Sequence, residues 1–489
     1  MKKILFILLA ALVSGNGKAF SQTVNIEVFP DQILENFYLG NGVQWDAYPL
    51  FDISEESWQR VFERTDFMKL NFIRLMVNAN EYCKSYPVNG KPVYDFNAER
   101  IRKDCRILDY CEKNGVHVLI GEWSPPRFDG LSITDPRWTE MVGEFMNYLL
   151  NVKKYTCIRY YNLYNEPNSR DRYSELWKAG TSKNFDDWKV SILNLDKEFR
   201  KRGLRDKLKI VGPDCSNGND WIKRIISDKE LCLVIDVYDI HRYARDIEIE
   251  DGEFGEEVRY YRNYITRHDP DGKNKQFIMG EAGMTTGKNN VDQQKNIGTF
   301  QYGVWMADFV VQSINGGQAG LLAWDMDDAM HTNGKLGPGT EIKDYIWKEW
   351  GFWDSFGVEK GSPELTNMRP WYYTWSLMSK YIPRGSQTLK TGESGVKGLR
   401  VAASKINRDG RSEYTFLIVN AGNENRTVKL TLSGLKGIDL NQFNYFETDM
   451  PKGEKGFPIP KDVLKKANLS KGISIKMPTK GVVILTSLF

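Results

Sequence analysis

From residue 37 to about residue 378 one pattern repeats along the chain. A short apolar run leads into a loop carrying Gly, Asn or Pro, and then into apolar residues at helical spacing. The short runs are too brief for helices and are bounded by turn residues, so they read as buried strands. They fall at residues 39–45, 72–77, 117–123, 159–165, 209–213, 235–243, 276–281 and 320–324. Helical signals lie between them. Ser54 stands at an N-cap ahead of Glu55 and Glu56, with Trp58, Val61 and Phe62 on one face. Ile101, Cys105 and Leu108 share the face of another helix, which stops at Asn114-Gly115. Eight strand–helix units predict an α/β fold, a (β/α)8 TIM barrel. A doubly wound sheet fits less well, because no Gly-x-Gly-x-x-Gly follows any strand.

Beyond about residue 381 the apolar period becomes two. Tyr414, Phe416 and Ile418 alternate, a turn-rich stretch covers 420–425, Val428, Leu430 and Leu432 alternate again, and residues 482–485 supply a final strand. This predicts a C-terminal all-β sandwich over residues 379–489. Val24, Ile26 and Val28 alternate in the same way, so residues 22–36 are expected to join the sandwich and tether the barrel, 37–378, at both ends.

Composition matters most at the amino terminus. Lys2 and Lys3 precede an apolar run at 4–13, and Ala19 and Ser21 suit cleavage before Gln22. Residues 1–21 therefore read as a signal peptide, and the protein as exported to the periplasm or beyond. That run is too short to span a bilayer and no longer one follows, so membrane insertion is not expected. Three of the 67 basic residues lie in the leader, leaving 64 against 64 acidic residues. A near-neutral chain argues against a nucleic-acid partner. The six cysteines include no Cys-x-x-Cys, and Cys105, on an apolar helix face, is expected to be a buried free thiol.

The strand at 159–165 runs into Asn165-Glu166-Pro167. Pro167 forbids further pairing and biases Glu166 away from helix. A carboxylate is left at the C-terminal tip of a strand, where barrel enzymes carry their reacting groups. One such glutamate is most often merely solvated. A second, Glu281, ends the strand at 276–281. Two carboxylates so placed can cleave an acetal, one giving a proton to the leaving oxygen while the other attacks or activates water. Glu166 is assigned as general acid/base and Glu281 as nucleophile.

With these residues the chain resembles the retaining glycoside hydrolases of clan A, most nearly families 30, 39 and 5. Those barrels carry Asn-Glu-Pro on strand four and a second Glu on strand seven. The resemblance implies that Arg74, in Phe72-Ile73-Arg74-Leu75, stands beside the nucleophile. It implies that His241 and Tyr243 form the His-x-Tyr of strand six, and that Trp324 lies under the sugar. Five strands thus carry the expected residue in the expected order. Trp123-Ser124-Pro125-Pro126 and Pro370-Trp371-Tyr372-Tyr373 resemble family 30, whereas Glu122 departs from it. The implied activity is cleavage of β-glycosidic bonds in a polysaccharide or oligosaccharide, with a carbohydrate partner and no cofactor.

Residue chemistry adds detail. Arg74 and the Tyr243 hydroxyl would favour ionised Glu281, and Asn165 can donate to a sugar 2-hydroxyl. Trp123 and Trp45 divide evenly between core packing and a sugar subsite. Four histidines without His-x-His or His-Glu-x-x-His disfavour a metal enzyme, and the absence of Gly-x-Ser-x-Gly disfavours a serine esterase. Asp325, Asp327 and Asp328 lack calcium-loop spacing and read as a solvated loop or a polar sugar subsite. Two other functions are weighed: a transglycosylase, which uses the same residues, and a carbohydrate-binding protein on a glycosidase barrel, against which the intact pair Glu166/Glu281 argues.

Overall fold

The computed structural model describes residues 23–48, 51–126, 128, 131–168, 183–216, 220–285, 294, 296–330, 332–333 and 341–489. The leader expected at 1–21 lies outside the described residues.

Eight parallel strands close into a barrel in sequence order. They are Gly40–Gln44, Phe72–Val77, His117–Glu122, Ile158–Asn162, Lys209–Ser216, Val237–Arg245, Gln276–Thr285 and Gly320–Ala323. The eighth closes on the first through Gly320–Gly40 to Ala323–Val43 pairing. Each strand lies on a run expected from the sequence, with ends that differ by a few residues. Strand four stops at Asn162, so Asn165 and Glu166 stand on the loop beyond it. Strand five continues past Pro213 to Ser216, carrying Asp214 to the same end of the barrel.

Helices cover the barrel as their caps dictate. Glu55–Met68 begins where Ser54 accepts a hydrogen bond from the Ser57 amide, and Glu99–Asn114 ends on Gly115 at φ 66°. Inside the barrel, Leu39, Phe72, Leu119, Tyr160, Val211, Val237, Ile278, Ala319 and Leu322 form one apolar plug. Polar side chains begin one layer above it. The plug therefore gives the site a dry floor.

The second unit is a nine-stranded sheet that includes the first strand, Thr23–Glu35. That strand pairs parallel with Arg426–Leu432 and antiparallel with Gln387–Thr391. Val24, Ile26 and Val28 enter one apolar layer with Phe416, Ile418, Val428, Leu430, Val483 and Leu485. Leu417, Val419, Phe443 and Ile484 face the other way and join the barrel's core. This two-faced burial explains why Leu417 and Val419 are also apolar, beside the alternating Tyr414, Phe416 and Ile418. All six cysteines, Cys105 among them, are buried and unbonded.

Candidate active site

Residues that the chain keeps far apart converge above the apolar plug. Arg74, on strand two, is fully buried and distributes its guanidinium among four acceptors. Nη1 donates to Glu281 Oε1 at 2.7 Å and to Gln44 Oε1 at 3.2 Å. Nη2 donates to Asn165 Oδ1 and to Asp214 Oδ2, each at 2.8 Å. One rigid fork thus ties strands one, two, five and seven to the loop after strand four. Burial works against this cation, but Asp214, Glu281 and Asp239 outweigh it and hold Arg74 charged.

Strand six contributes every second residue. Asp239, His241 and Tyr243 point into the barrel, as the two-residue period of a strand requires. Tyr243 Oη donates to Glu281 Oε2 at 2.5 Å, so Glu281 is held on both oxygens. His241 Nδ1 lies 3.1 Å from Glu166 Oε1 and 3.5 Å from Glu281 Oε2, while Nε2 lies 2.9 Å from Asp214 Oδ1. Burial alone would depress the imidazole. The charges of Glu281 and Asp214, with hydrogen bonds to Asp214 and Glu166, instead hold His241 well above its ordinary value. Asp214 moves the other way: burial would raise it, but Arg74 and His241 pull it below the usual carboxylate range. Asp239 is raised, first by burial and then by the Asp214 charge. Gly280 makes room for it, since a Cβ there would meet Asp239 Oδ2 at 2.3 Å.

The backbone is strained at two of these residues. Glu166 has φ 46° and Asp214 φ 58°, in the left-handed region that costs most residues on the order of 1–3 kcal/mol. The Glu166 amide donates to the Asp214 carbonyl at 3.0 Å, so the two support each other. Asn168 and Ser216 lock the same loops by exchanging hydrogen bonds at 2.9 and 3.0 Å. One oxygen of Glu166 and one of Glu281 lie within 4.8 Å of each other, with His241 beside both.

The tryptophans divide. Trp324 follows strand eight and meets Trp123 edge-on at 5.8 Å and Trp350 at 5.1 Å. Trp45 is not with them. It is fully buried in the barrel wall, edge-on to Phe62 at 6.1 Å and Tyr110 at 5.4 Å, which makes it a core residue. Of the two readings of the acidic loop after strand eight, the solvated one is overturned, because Asp325, Asp327 and Asp328 are buried. Asp327 accepts from Tyr48, Trp353, Ser355 and Ala329, and burial pushes it up to about 7. Asp328 pairs with Arg369 and accepts the amides of Trp350 and Gly351 at 2.9 and 2.7 Å. The loop therefore builds the wall that carries Trp350.

Sequence reasoning missed Asp214, Asp239, Gln44 and Trp350. Asp214 follows Gly212-Pro213 at a strand end, the same carboxylate-beside-proline signal that singled out Glu166. Asp239 shares the inward period of His241 and Tyr243. Glu122, the departure from family 30, faces outward. Tyr82 donates to it at 2.5 Å and Trp138 at 2.9 Å, and its own carbonyl accepts the Asn165 amide at 3.0 Å.

Two triplets, Glu166/His241/Glu281 and Asp214/Asp239/His241, each bring ligand-capable atoms within 4.8 Å. They share His241, and Arg74 pairs with Glu281 of the first and Asp214 of the second.

No family model matches the chain, and no curated protein matches its sequence. Solved structures match its fold. The catalytic domain of a family 30 xylanase C from Talaromyces cellulolyticus aligns with a TM-score of 0.65 at 14% identity, over 94% of this chain and 99% of that one. A family 30 endoxylanase from Clostridium papyrosolvens C71 gives 0.62 at 11% identity, over 94% and 99%. A family 39 β-xylosidase from Caulobacter crescentus gives 0.60 at 13%, over 95% and 99%. The chain shares with these glycoside hydrolases the architecture of a closed barrel and a β-domain.

Proposed function

We propose that this protein is an exported glycoside hydrolase that cleaves β-glycosidic bonds with retention, through Glu281 as nucleophile and Glu166 as acid/base. The observation that carries the reading is the approach of one oxygen of Glu166 and one of Glu281 to within 4.8 Å. Retaining enzymes hold this pair about 5–5.5 Å apart, whereas inverting enzymes need roughly 6.5–9.5 Å to admit a water. In the first step Glu281 oxygen bonds to the anomeric carbon as the glycosidic C–O bond breaks, and Glu166 gives its proton to the departing oxygen. In the second, water bonds to that carbon, the bond to Glu281 breaks, and Glu166 takes the water's proton. Arg74 and Tyr243 hold Glu281 by one oxygen each and aim it.

Trp324, with Trp123 and Trp350 beside it, offers ring faces and edges against which a sugar packs. The xylanases and β-xylosidases among the structural neighbours make β-xylosides and xylan the first substrates to try. The test is hydrolysis of a panel of aryl β-glycosides and polysaccharides by wild type and Glu281→Ala. Turnover that vanishes in the variant, with the anomeric configuration kept in the wild-type product, is the expected result. Activity that survives Glu281→Ala sinks the mechanism. Saturable sugar binding without turnover on any substrate would instead favour a binding protein.

A further inference from the structure

Asp214 is fully buried and reaches no surface, so it cannot touch a sugar. Yet the two halves of the site meet on it. Oδ2 accepts from Arg74, the residue that holds Glu281 and Asn165. Oδ1 faces Nε2 of His241, whose Nδ1 lies against Glu166 and, a little farther, Glu281. We propose, resting on the glycosidase reading above, that Asp214 is a positioning residue: it fixes a proton on His241 Nε2, so that the catalytic proton lies on the line between His241 Nδ1 and Glu166 Oε1.

The argument is one of donors and acceptors. An ionised carboxylate only accepts, and Asp214 must be ionised to serve Arg74, so His241 Nε2 is the donor at 2.9 Å. A neutral imidazole with hydrogen on Nε2 presents a bare lone pair at Nδ1. Two acceptors do not face each other at 3.1 Å, so a proton sits between Nδ1 and Glu166 Oε1. On the imidazole or on the carboxyl, it is the proton that leaves with the first product and is recovered from water in the second step. The groups facing His241 are Asp214 from strand five, Glu166 beyond strand four, Glu281 from strand seven and Asp239 on its own strand, with Arg74 as the opposing cation. Their net field favours an imidazole that keeps its hydrogen. The paired left-handed conformations of Glu166 and Asp214, joined amide to carbonyl, fix this geometry in the backbone as well.

Two measurements test the proposal. The first is ¹⁵N NMR of the histidine rings in the wild type, where the four histidines make assignment through His241→Gln direct. A protonated Nε2 at neutral pH is expected, and a bare Nε2 overturns the proposal. The second compares Asp214→Asn with wild type on aryl glycosides of poor and good leaving group. kcat/KM should fall on the order of a hundredfold for a phenyl glycoside and under about tenfold for a dinitrophenyl glycoside, which needs little acid help. KM should hold. The basic limb of the pH profile should move to lower pH, since removing the Asp214 charge weakens the hold on the proton. Equal losses on both substrates with an unmoved limb would mean that Asp214 acts through the fold alone, and would overturn the proposal. Should Asp214→Asn not fold, the wild-type spectrum still decides. A wild type that turns over no glycoside yet keeps the Nε2 hydrogen would remove the glycosidase reading and leave the grip of Asp214 on His241 in place.

Discussion

Asn165 separates binding from chemistry within one side chain. Its Oδ1 accepts from Arg74, while Nδ2 is buried with no hydrogen-bond partner among the described residues. Buried donors are nearly always paired, and leaving one unpaired costs about 1–3 kcal/mol. A donor kept at that cost beside Glu166 suits a sugar 2-hydroxyl whose hydrogen bond strengthens as positive charge develops at the neighbouring carbon. Asn165→Ala is expected to lower kcat on the order of a hundredfold and to change KM less. Steady-state kinetics check it, and an unchanged kcat would remove Asn165 from the mechanism. This residue was legible in the sequence because Asn-Glu-Pro places it beside the acid. Asp214 was not, because its meaning lies in partners 140 and 27 positions away, Arg74 and His241. Local pattern reveals which residues end a strand; only closure of the barrel reveals which ends meet.

Among the elements, the eight strands were legible because each is a brief apolar run set off by turn residues. The loop after strand eight was misread for a physical reason. Acidic residues default to solvent, and nothing local announces that Tyr48, Trp353 and Arg369 will cover them. Strand three holds a similar case in Glu122, which joins the barrel wall to the helix Pro136–Asn147 through Trp138. Burial pushes Glu122 from 4.5 up to about 8. A carboxyl that binds its proton more tightly when folded loses stabilising power as pH rises from its unfolded value through its folded one. Glu122 should therefore erode stability between about pH 4.5 and 8, by at most about 1.4 kcal/mol per pH unit. In Glu122→Gln the amide can donate to Tyr82 and accept from Trp138, and that slope should disappear. Denaturant melts at pH 5, 6 and 8 decide it; a variant with the same slope as wild type would show that another group titrates there.

For the whole molecule, the helix Phe300–Asn315 does most to join barrel and sheet. It is apolar nearly all round and, apart from half-buried Trp305, buried from Tyr302 to Ile314, as a helix between two layers must be. Its one carboxylate, Asp308, is fully buried and meets Arg400 of the sheet at 2.6 Å, while Arg400 also reaches the Glu250 carbonyl. Phe300 stacks on Tyr445 at 4.4 Å, and Asn315 donates to the Val401 carbonyl. Burial raises Asp308 to about 6 even with the guanidinium beside it. Removing one partner of such a pair strands the other, at a cost of about 3–5 kcal/mol. Arg400→Met should cost that much at pH 8 and less at pH 5. The sign follows from the raised carboxyl: stability is lost as pH climbs from 3.8 through the folded value, which the variant pushes higher still. Adding Asp308→Asn should recover most of the loss and flatten its pH dependence. Thermal melts of the single and double variants check both statements. Because the contact braces the outside of the barrel, where the helix meets the sheet, kcat of Arg400→Met below its melting range should stay near the wild-type value. A large fall there would mean that the sheet shapes the site and does more than brace it.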